Sequence, residues 1–270
     1  VQKMKTYTEE FDKIKKKLLE KEPFAYSRFS DGEMFILKNE LLVLKEDMYI
    51  TGDKKGTGTY PKEEQKNYVP EEHSYISEKL HKCLTTRKKN YFKGLSTNED
   101  EDLSGENILE YQLKLYGEGD DEHLTFATIF LNNNYPRFLK EIMPLFRHRK
   151  LVFVVNEAAN FKDLEFFNII KDFRIGSNCI VNDYDLPQKI NKWISDNNIE
   201  DAIFLISAST LSNFIIHDCF LEHDKNTYID IGSSLSPWLG LQGWMYTRAY
   251  LQHHILRMPN KYGTQVDTWI

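Results

Sequence analysis

The residues best suited to chemistry in this chain fall in short polar segments that directly follow apolar runs. The first is Tyr26-Ser27-Arg28-Phe29-Ser30-Asp31-Gly32-Glu33. Its two carboxylates, Asp31 and Glu33, are separated by one glycine, which lets the backbone turn sharply enough for both to aim at one point. Oxygen ligands of this kind suit Mg²⁺ or Mn²⁺, ions that also hold diphosphate oxygens. Arg28 adds a fixed cation able to reach phosphate. The plainer explanation is structural: a capping Asp and an acidic first turn stabilise the helix that follows.

The second segment, Ser207-Ala208-Ser209-Thr210, opens a stretch containing Asn213. Small residues there let backbone N–H groups approach an anion at a helix N-terminus, although Ser/Thr capping accounts for the same pattern. In the third, Asp230-Ile231-Gly232-Ser233-Ser234, an acid closes an apolar run and a small-residue loop follows. Asp230 could bind a ribose or sugar hydroxyl, or cap the next helix. Asn156 and Glu157 follow another apolar run and complete a polar rim.

Elements able to position these groups are legible as alternating short apolar runs and amphipathic stretches. Strands are expected at 24–29, 151–155, 179–181, 202–206 and 228–231, with a further extended piece at 41–44. Helices are expected at 32–38, 72–84, 106–116, 161–170, 187–196 and 211–221. Apolar Phe11, Ile14 and Leu18, with lysines between them, predict one more amphipathic helix near the start. The Gly-, Thr-, Lys- and Pro-rich stretch 51–70 reads as a long loop, and its part 52–59 could close over a ligand. Strands alternating with helices predict an α/β fold: a mostly parallel, doubly wound sheet with helices on both faces. Ligands of such sheets bind beyond the carboxyl ends of the strands, where the polar segments fall.

Composition narrows the functional classes. The chain has 270 residues, 41% of them hydrophobic, with no repeat and no Pro- or Gly-rich divider, so it reads as one domain over 1–270. Its first residue is Val1 rather than Met, which leaves room for residues upstream and for a longer parent chain. The 35 basic and 41 acidic residues sum to −6 without a basic cluster, which argues against nucleic-acid binding. No apolar run approaches the roughly 18 residues of a membrane span. Three dispersed cysteines and the absence of an Asn-x-Ser/Thr sequon are consistent with a cytoplasmic protein. His217 and His223 lack a metal-ligand spacing, and Trp238, Trp244, Tyr246 and Tyr250 read mainly as packing, with a sugar-stacking platform as the alternative. P-loop, dinucleotide-binding, nucleophile-elbow and zincin motifs are all missing.

The Ser27–Glu33 residues resemble the Arg-Phe-x-Asp-Gly-Glu segment of glycosyltransferases with the GT-D fold, which carry Asp-x-Glu where many others carry Asp-x-Asp. More diffuse likeness follows: Thr125-Phe126-Ala127 with Asn132, Asn133, Tyr135 and Phe138 resembles the family's central helical region, and Leu205-Ile206-Ser207-Ala208 and Tyr228-Ile229-Asp230-Ile231-Gly232 resemble its two late strands. Ser30 stands where glycine is frequent, and Ser207-Ala208-Ser209 where a glycine is often found.

That resemblance implies a Rossmann-like sheet and a metal-dependent transfer of sugar from a nucleotide-sugar donor, a UDP-sugar favoured, to a glycan or glycoprotein hydroxyl. Asp31 and Glu33 would be the catalytic, Mn²⁺- or Mg²⁺-holding pair. Arg28, Ser30, Gly32, Asn156, Ser207, Ser209, Asp230 and Gly232 would bind the donor. Glu33, Glu157 and Asp230 are the candidates for a general base. Another α/β transferase, such as a methyltransferase, or a non-catalytic sugar- or nucleotide-binding module are the alternatives.

Overall fold

In the first strand, β1 (Ala25–Phe29), side chains alternate between two buried faces. Tyr26 and Arg28 project to one side, where both reach the carbonyl of Ala127. Ser27 projects to the other, where Asn213 donates to its hydroxyl. A strand covered on both faces belongs inside a parallel sheet, and β1 has neighbours on either edge. The computed structural model describes residues 6–96, 108–117 and 122–259.

Among the described residues the main sheet has seven strands: β1, β6 (Tyr91–Leu95), β7 (Leu124–Phe126), β8 (Lys150–Asn156), β9 (Ile169–Ile175), β10 (Ala202–Ile206) and β11 (Thr227–Asp230). Their order is β7-β6-β1-β11-β10-β8-β9, and every pairing is parallel. From β1 the chain moves outward to β6 and β7, then crosses and returns through β10 to β11. The topological switch point is therefore the crevice between β1 and β11, where doubly wound sheets take their ligands. Helix α8 (Leu211–Glu222) packs on β1 and β11, flanked by α3 (Pro70–Thr85) and α7 (Leu186–Asn197), while α1 (Tyr7–Leu19) covers the opposite face at β7. Phe11, Ile14 and Leu18 of α1 are buried, as their spacing predicts. The sheet is thus Rossmann-like, with helices on both faces.

A second, antiparallel sheet of β2 (Leu42–Leu44), β3 (Met48–Thr51), β4 (Lys54–Thr57) and β5 (Lys66–Tyr68) leans over the strand ends in the order β4-β3-β2-β5. It corrects the reading of 51–70 as one loop. The Gly52-Asp53 turn between two short extended runs is a two-residue hairpin signal, masked by the surrounding lysines and threonines. Helix α2 (Asp31–Leu37) links the two sheets, and α4 (Ile108–Tyr116) flanks α3. The expected start of α4 at 106 lies outside the described residues.

Two further expectations are overturned. Residues 161–170 are not a helix: a short 3-10 turn at Lys162–Leu164 leads into β9, because Ile169, Phe173 and Ile175 supply the alternation that β8 needs for an outer partner. Residues 179–181 are not a strand: Asn178, in the left-handed region at φ 50°, starts the helical turn α6 (Cys179–Asn182). Strands β6 and β7 were not anticipated: Lys93 and Gly94 break the apolar run of β6, and β7 is only three residues long and stands where the resemblance implied helix. The turn α5 (Tyr135–Arg137) lies within a run of short helical turns from Asn132 to Phe146, and two short helices, α9 (Gln242–Thr247) and α10 (Ala249–His254), follow β11. No described helix is long and apolar enough to cross a membrane. The three cysteines are free and buried.

Candidate active site

A cavity of about 330 Å³ opens at the crevice between β1 and β11, within the size range of small-molecule sites. Arg28, Ser30, Asp31, Gly32, Glu33, Asn156, Ser207, Ser209, Asp230 and Gly232 all line it. Convergence follows from the topology, since each of these residues ends or follows a parallel strand, and parallel strands all end on one side. Glu157, the remaining base candidate, is exposed and outside the cavity lining, because it lies one residue beyond Asn156 on the outer side of the strand end. Asn156 turns back on its own loop and accepts from the Ala158 N–H at 2.9 Å.

Of the two roles weighed from sequence, the capping one is visible at the Asp31–Glu33 turn. Ser30 precedes α2, and the Glu33 carboxylate accepts from the Ser30 backbone N–H at 2.9 Å, as in a capping box. Its other oxygen accepts from the Thr210 hydroxyl at 2.7 Å, which ties the β1–α2 turn to the β10–α8 loop. Glu33 is only 7% exposed, so these bonds fix its carboxylate at the cavity wall. Asp31 differs. Among the described residues it makes no side-chain hydrogen bond and no ion pair, although it faces the cavity. Burial, reinforced by Glu33, raises its pKa, while Lys66 and Arg248 pull the other way.

Arg28 and Asp230 form the floor. Their closest charged atoms are 3.8 Å apart, and Arg28 also donates to the Ala127 carbonyl at 2.6 Å. Asp230 accepts from the Gly232 N–H at 2.9 Å. Desolvation pushes the Asp230 pKa up to about 6 even with Arg28 beside it. Gly232 has φ +49°, and a Cβ there would come within 2.1 Å of Arg28 Nη1, so only glycine lets this loop lie against the guanidinium.

The opposite wall comes from outside the main sheet. Tyr49, Thr51, Tyr60, Glu64 and Lys66 belong to the small sheet and its connections, and Trp244, Arg248 and Tyr250 to α9 and α10. Arg248 pairs with Glu64, which fastens the two halves of this wall together. Tyr250 and Ser233 share a 2.7 Å hydrogen bond that anchors α10 to the loop after β11. Trp244 and Tyr250 thus serve the cavity as well as packing. Sequence reading missed Glu64, Lys66 and Arg248, whose surroundings are ordinary surface-like sequence; no local signal marks them.

Five carboxylates (Asp31, Glu33, Glu63, Glu64, Asp230) face three cations (Arg28, Lys66, Arg248) around the cavity. This acidic excess disfavours an anionic ligand unless a cation accompanies it. Among the described residues no group of three or more His, Cys, Asp or Glu side chains could hold a metal. Mg²⁺-type ions are nevertheless commonly held by one or two carboxylates, with substrate phosphates and water supplying the rest. Asp31, free of side-chain partners, and Glu33, whose oxygens keep spare lone pairs, fit that arrangement.

No family model matches the sequence, and no curated protein matches it either. Solved structures do. One, described as a new glycosyltransferase (domain of unknown function 1792) from Streptococcus sanguinis, aligns with a TM-score of 0.52 and 14% identity over 90% of this chain and 84% of that one. Two others align with a TM-score of 0.51 and 12% identity over 89% of this chain and 86% of theirs. The first is a selenomethionine-substituted structure of domain of unknown function 1792, and the second is described as that domain having a distinct glycosyltransferase fold. The chain therefore has the fold that these three structures share.

Proposed function

We propose that this protein is a metal-dependent glycosyltransferase that moves a sugar from a nucleotide-diphosphate donor, a UDP-sugar favoured, to a hydroxyl of a glycan or glycoprotein. The observation that carries the reading is Asp31: a half-buried carboxylate that faces the cavity without a side-chain partner, next to Glu33, at the switch point of a doubly wound sheet. Support comes from the fold shared with structures described as glycosyltransferases.

Asp31 and Glu33 would hold the divalent cation, which when bound offsets charge on the departing diphosphate. The remaining work falls to the chain itself. Ser207 and Ser209 line the cavity and would meet phosphate oxygens with their hydroxyls, since the Ser207 and Ala208 N–H groups already donate to the Val154 carbonyl and to Ser212 Oγ. Arg28, held by Asp230 and Ala127, supplies a fixed positive charge beneath them. Asp230 is the best placed of the base candidates: it lines the cavity, and a pKa near 6 leaves it ionised at neutral pH yet basic enough to take the acceptor's proton. The small sheet and Trp244 exclude water and offer aromatic surface to a sugar or base.

The test uses a panel of sugar nucleotides with and without Mn²⁺, read first by thermal shift and then by transfer to glycan acceptors. Asp31→Ala is expected to abolish transfer, a loss of about 10³-fold or more, while the protein remains folded. Glu33→Gln keeps an acceptor for the Ser30 N–H but removes the charge, and should lose most activity. Full transfer in both variants sinks the reading. Stabilisation by S-adenosylmethionine in place of sugar nucleotides would redirect it to methyl transfer.

A further inference from the structure

Lys66 is the cavity's third cation, and the other two are already engaged. Arg28 faces Asp230 and Arg248 pairs with Glu64. Among the described residues Lys66 makes no side-chain hydrogen bond and no ion pair. It is nevertheless aimed at the chemistry. Its Nζ lies 3.3 Å from where a Cβ on Gly32 would sit, directly over the Asp31-Gly32-Glu33 turn. Lys66 Nζ thus stands over the turn that carries both carboxylates without an ion pair to either.

The backbone that carries Lys66 is held in place. Gln65, just before it, accepts from the Asn178 N–H at 2.8 Å, and the Asn67 N–H, just after it, donates to Asn178 Oδ1 at 2.9 Å. On its other side β5 pairs with β2, with Leu44 opposite Lys66. The backbone of Lys66 is thus clamped between β2 and the loop after β9, which fixes the point from which its side chain reaches toward the cavity.

We infer that Lys66 is a catalytic residue of the proposed transfer, its ammonium binding the donor's diphosphate and donating a hydrogen bond to the oxygen that leaves the sugar. This rests on the glycosyl-transfer reading. In the step, the bond from the anomeric carbon to the diphosphate oxygen breaks and its electron pair stays on that oxygen. The acceptor oxygen forms the new bond to the same carbon, and its proton passes to a carboxylate. Negative charge grows on the diphosphate, opposite a donor contributed by the small sheet rather than by the sheet that carries the acidic pair.

Calorimetry with UDP, GDP, CDP, dTDP, ADP, uridine and inorganic pyrophosphate, in Mn²⁺ and in EDTA, tests this on Lys66→Met, Lys66→Gln and Lys66→Arg. The Met and Gln variants should bind pyrophosphate and the preferred nucleoside diphosphate about 10-fold or more weakly, with uridine binding unchanged. Turnover should fall about 10²–10³-fold, and Lys66→Arg should recover part of both losses. Unchanged pyrophosphate affinity and unchanged turnover in the Met and Gln variants overturn the role of Lys66 and leave the transfer reading standing. Wild-type protein that binds none of the diphosphates overturns both.

Discussion

Two cations on neighbouring strands, one half-buried and one fully buried, have opposite fates. In the register of β1 against β6, Arg28 lies beside Gly94 and Ser27 beside Lys93, so the two basic residues are one position apart and project to opposite faces. Arg28 has an acid within 3.8 Å, a carbonyl at 2.6 Å and an open cavity beside it, and it stays charged. Lys93 is fully buried with no hydrogen-bond partner for its Nζ, over the ring of Tyr91 and near His217. Burial drives the Lys93 pKa well below the ordinary lysine value, and mainly burial lowers His217 to about 3. The lesson is that burial alone does not make a functional site. A charge persists inside a protein only where a counter-charge or hydrogen bonds repay its lost hydration, and here that happens on the side facing the switch point.

The largest effect that sharpens this contrast is expected at the floor of the cavity. Arg28→Met leaves Asp230 buried without its counter-ion and should cost about 3–5 kcal/mol in urea unfolding. Adding Asp230→Leu should recover part of that loss, since the two sites share one interaction. A cost below about 1 kcal/mol in the single variant would break the comparison, placing Arg28 with the dispensable charges.

A second, intermediate effect concerns pH. Asp230, pushed up to about 6, binds its proton more tightly in the folded chain than in the unfolded one. It therefore makes stability fall as pH rises from the ordinary carboxylate range through about 6, and Asp230→Asn should remove that slope. Activity should move the other way: the acidic limb of the rate profile, with an apparent pKa near 6, rises as Asp230 ionises. An identical acidic limb in the Asn variant would take the base role from this residue.

The smallest effect is a gain. Lys93→Met replaces an unpartnered buried amine with an apolar chain of similar length, and a stabilisation of about 1–2 kcal/mol is expected, read as a raised Tm. Because folded Lys93 holds its proton less tightly than the unfolded residue, it costs stability at neutral pH and that cost fades as pH rises towards the ordinary lysine range. The variant should flatten the alkaline side of the stability profile and leave sugar-nucleotide binding unaltered. Loss of binding in this variant would make Lys93 part of the site after all.

Much of this architecture was readable from local pattern. The apolar runs that became β1, β8, β10 and β11, the amphipathic stretches of α1 and α7, the largely apolar stretch of α8, and the polar residues at each strand end all stand out without a structure. Failures cluster where a partner decides the outcome. Residues 169–175 became a strand because β8 offered an edge, and the hairpin at 48–57 formed against β2 although its own sequence is mostly lysine, threonine and glycine.

Sequence alone determined which side chains are able to carry charge, and it placed Asp31 and Glu33 beside each other through a two-residue spacing that no folding event can undo. Only the tertiary structure decided that Asp230 would sit under Arg28, that Thr210 would hold Glu33, and that Lys66 would reach over Gly32 from a different sheet. The reason is physical. Periodicity is a property of neighbouring residues, whereas strand order and the meeting of two sheets depend on which distant surfaces bury each other best, and that balance is struck across the whole chain at once.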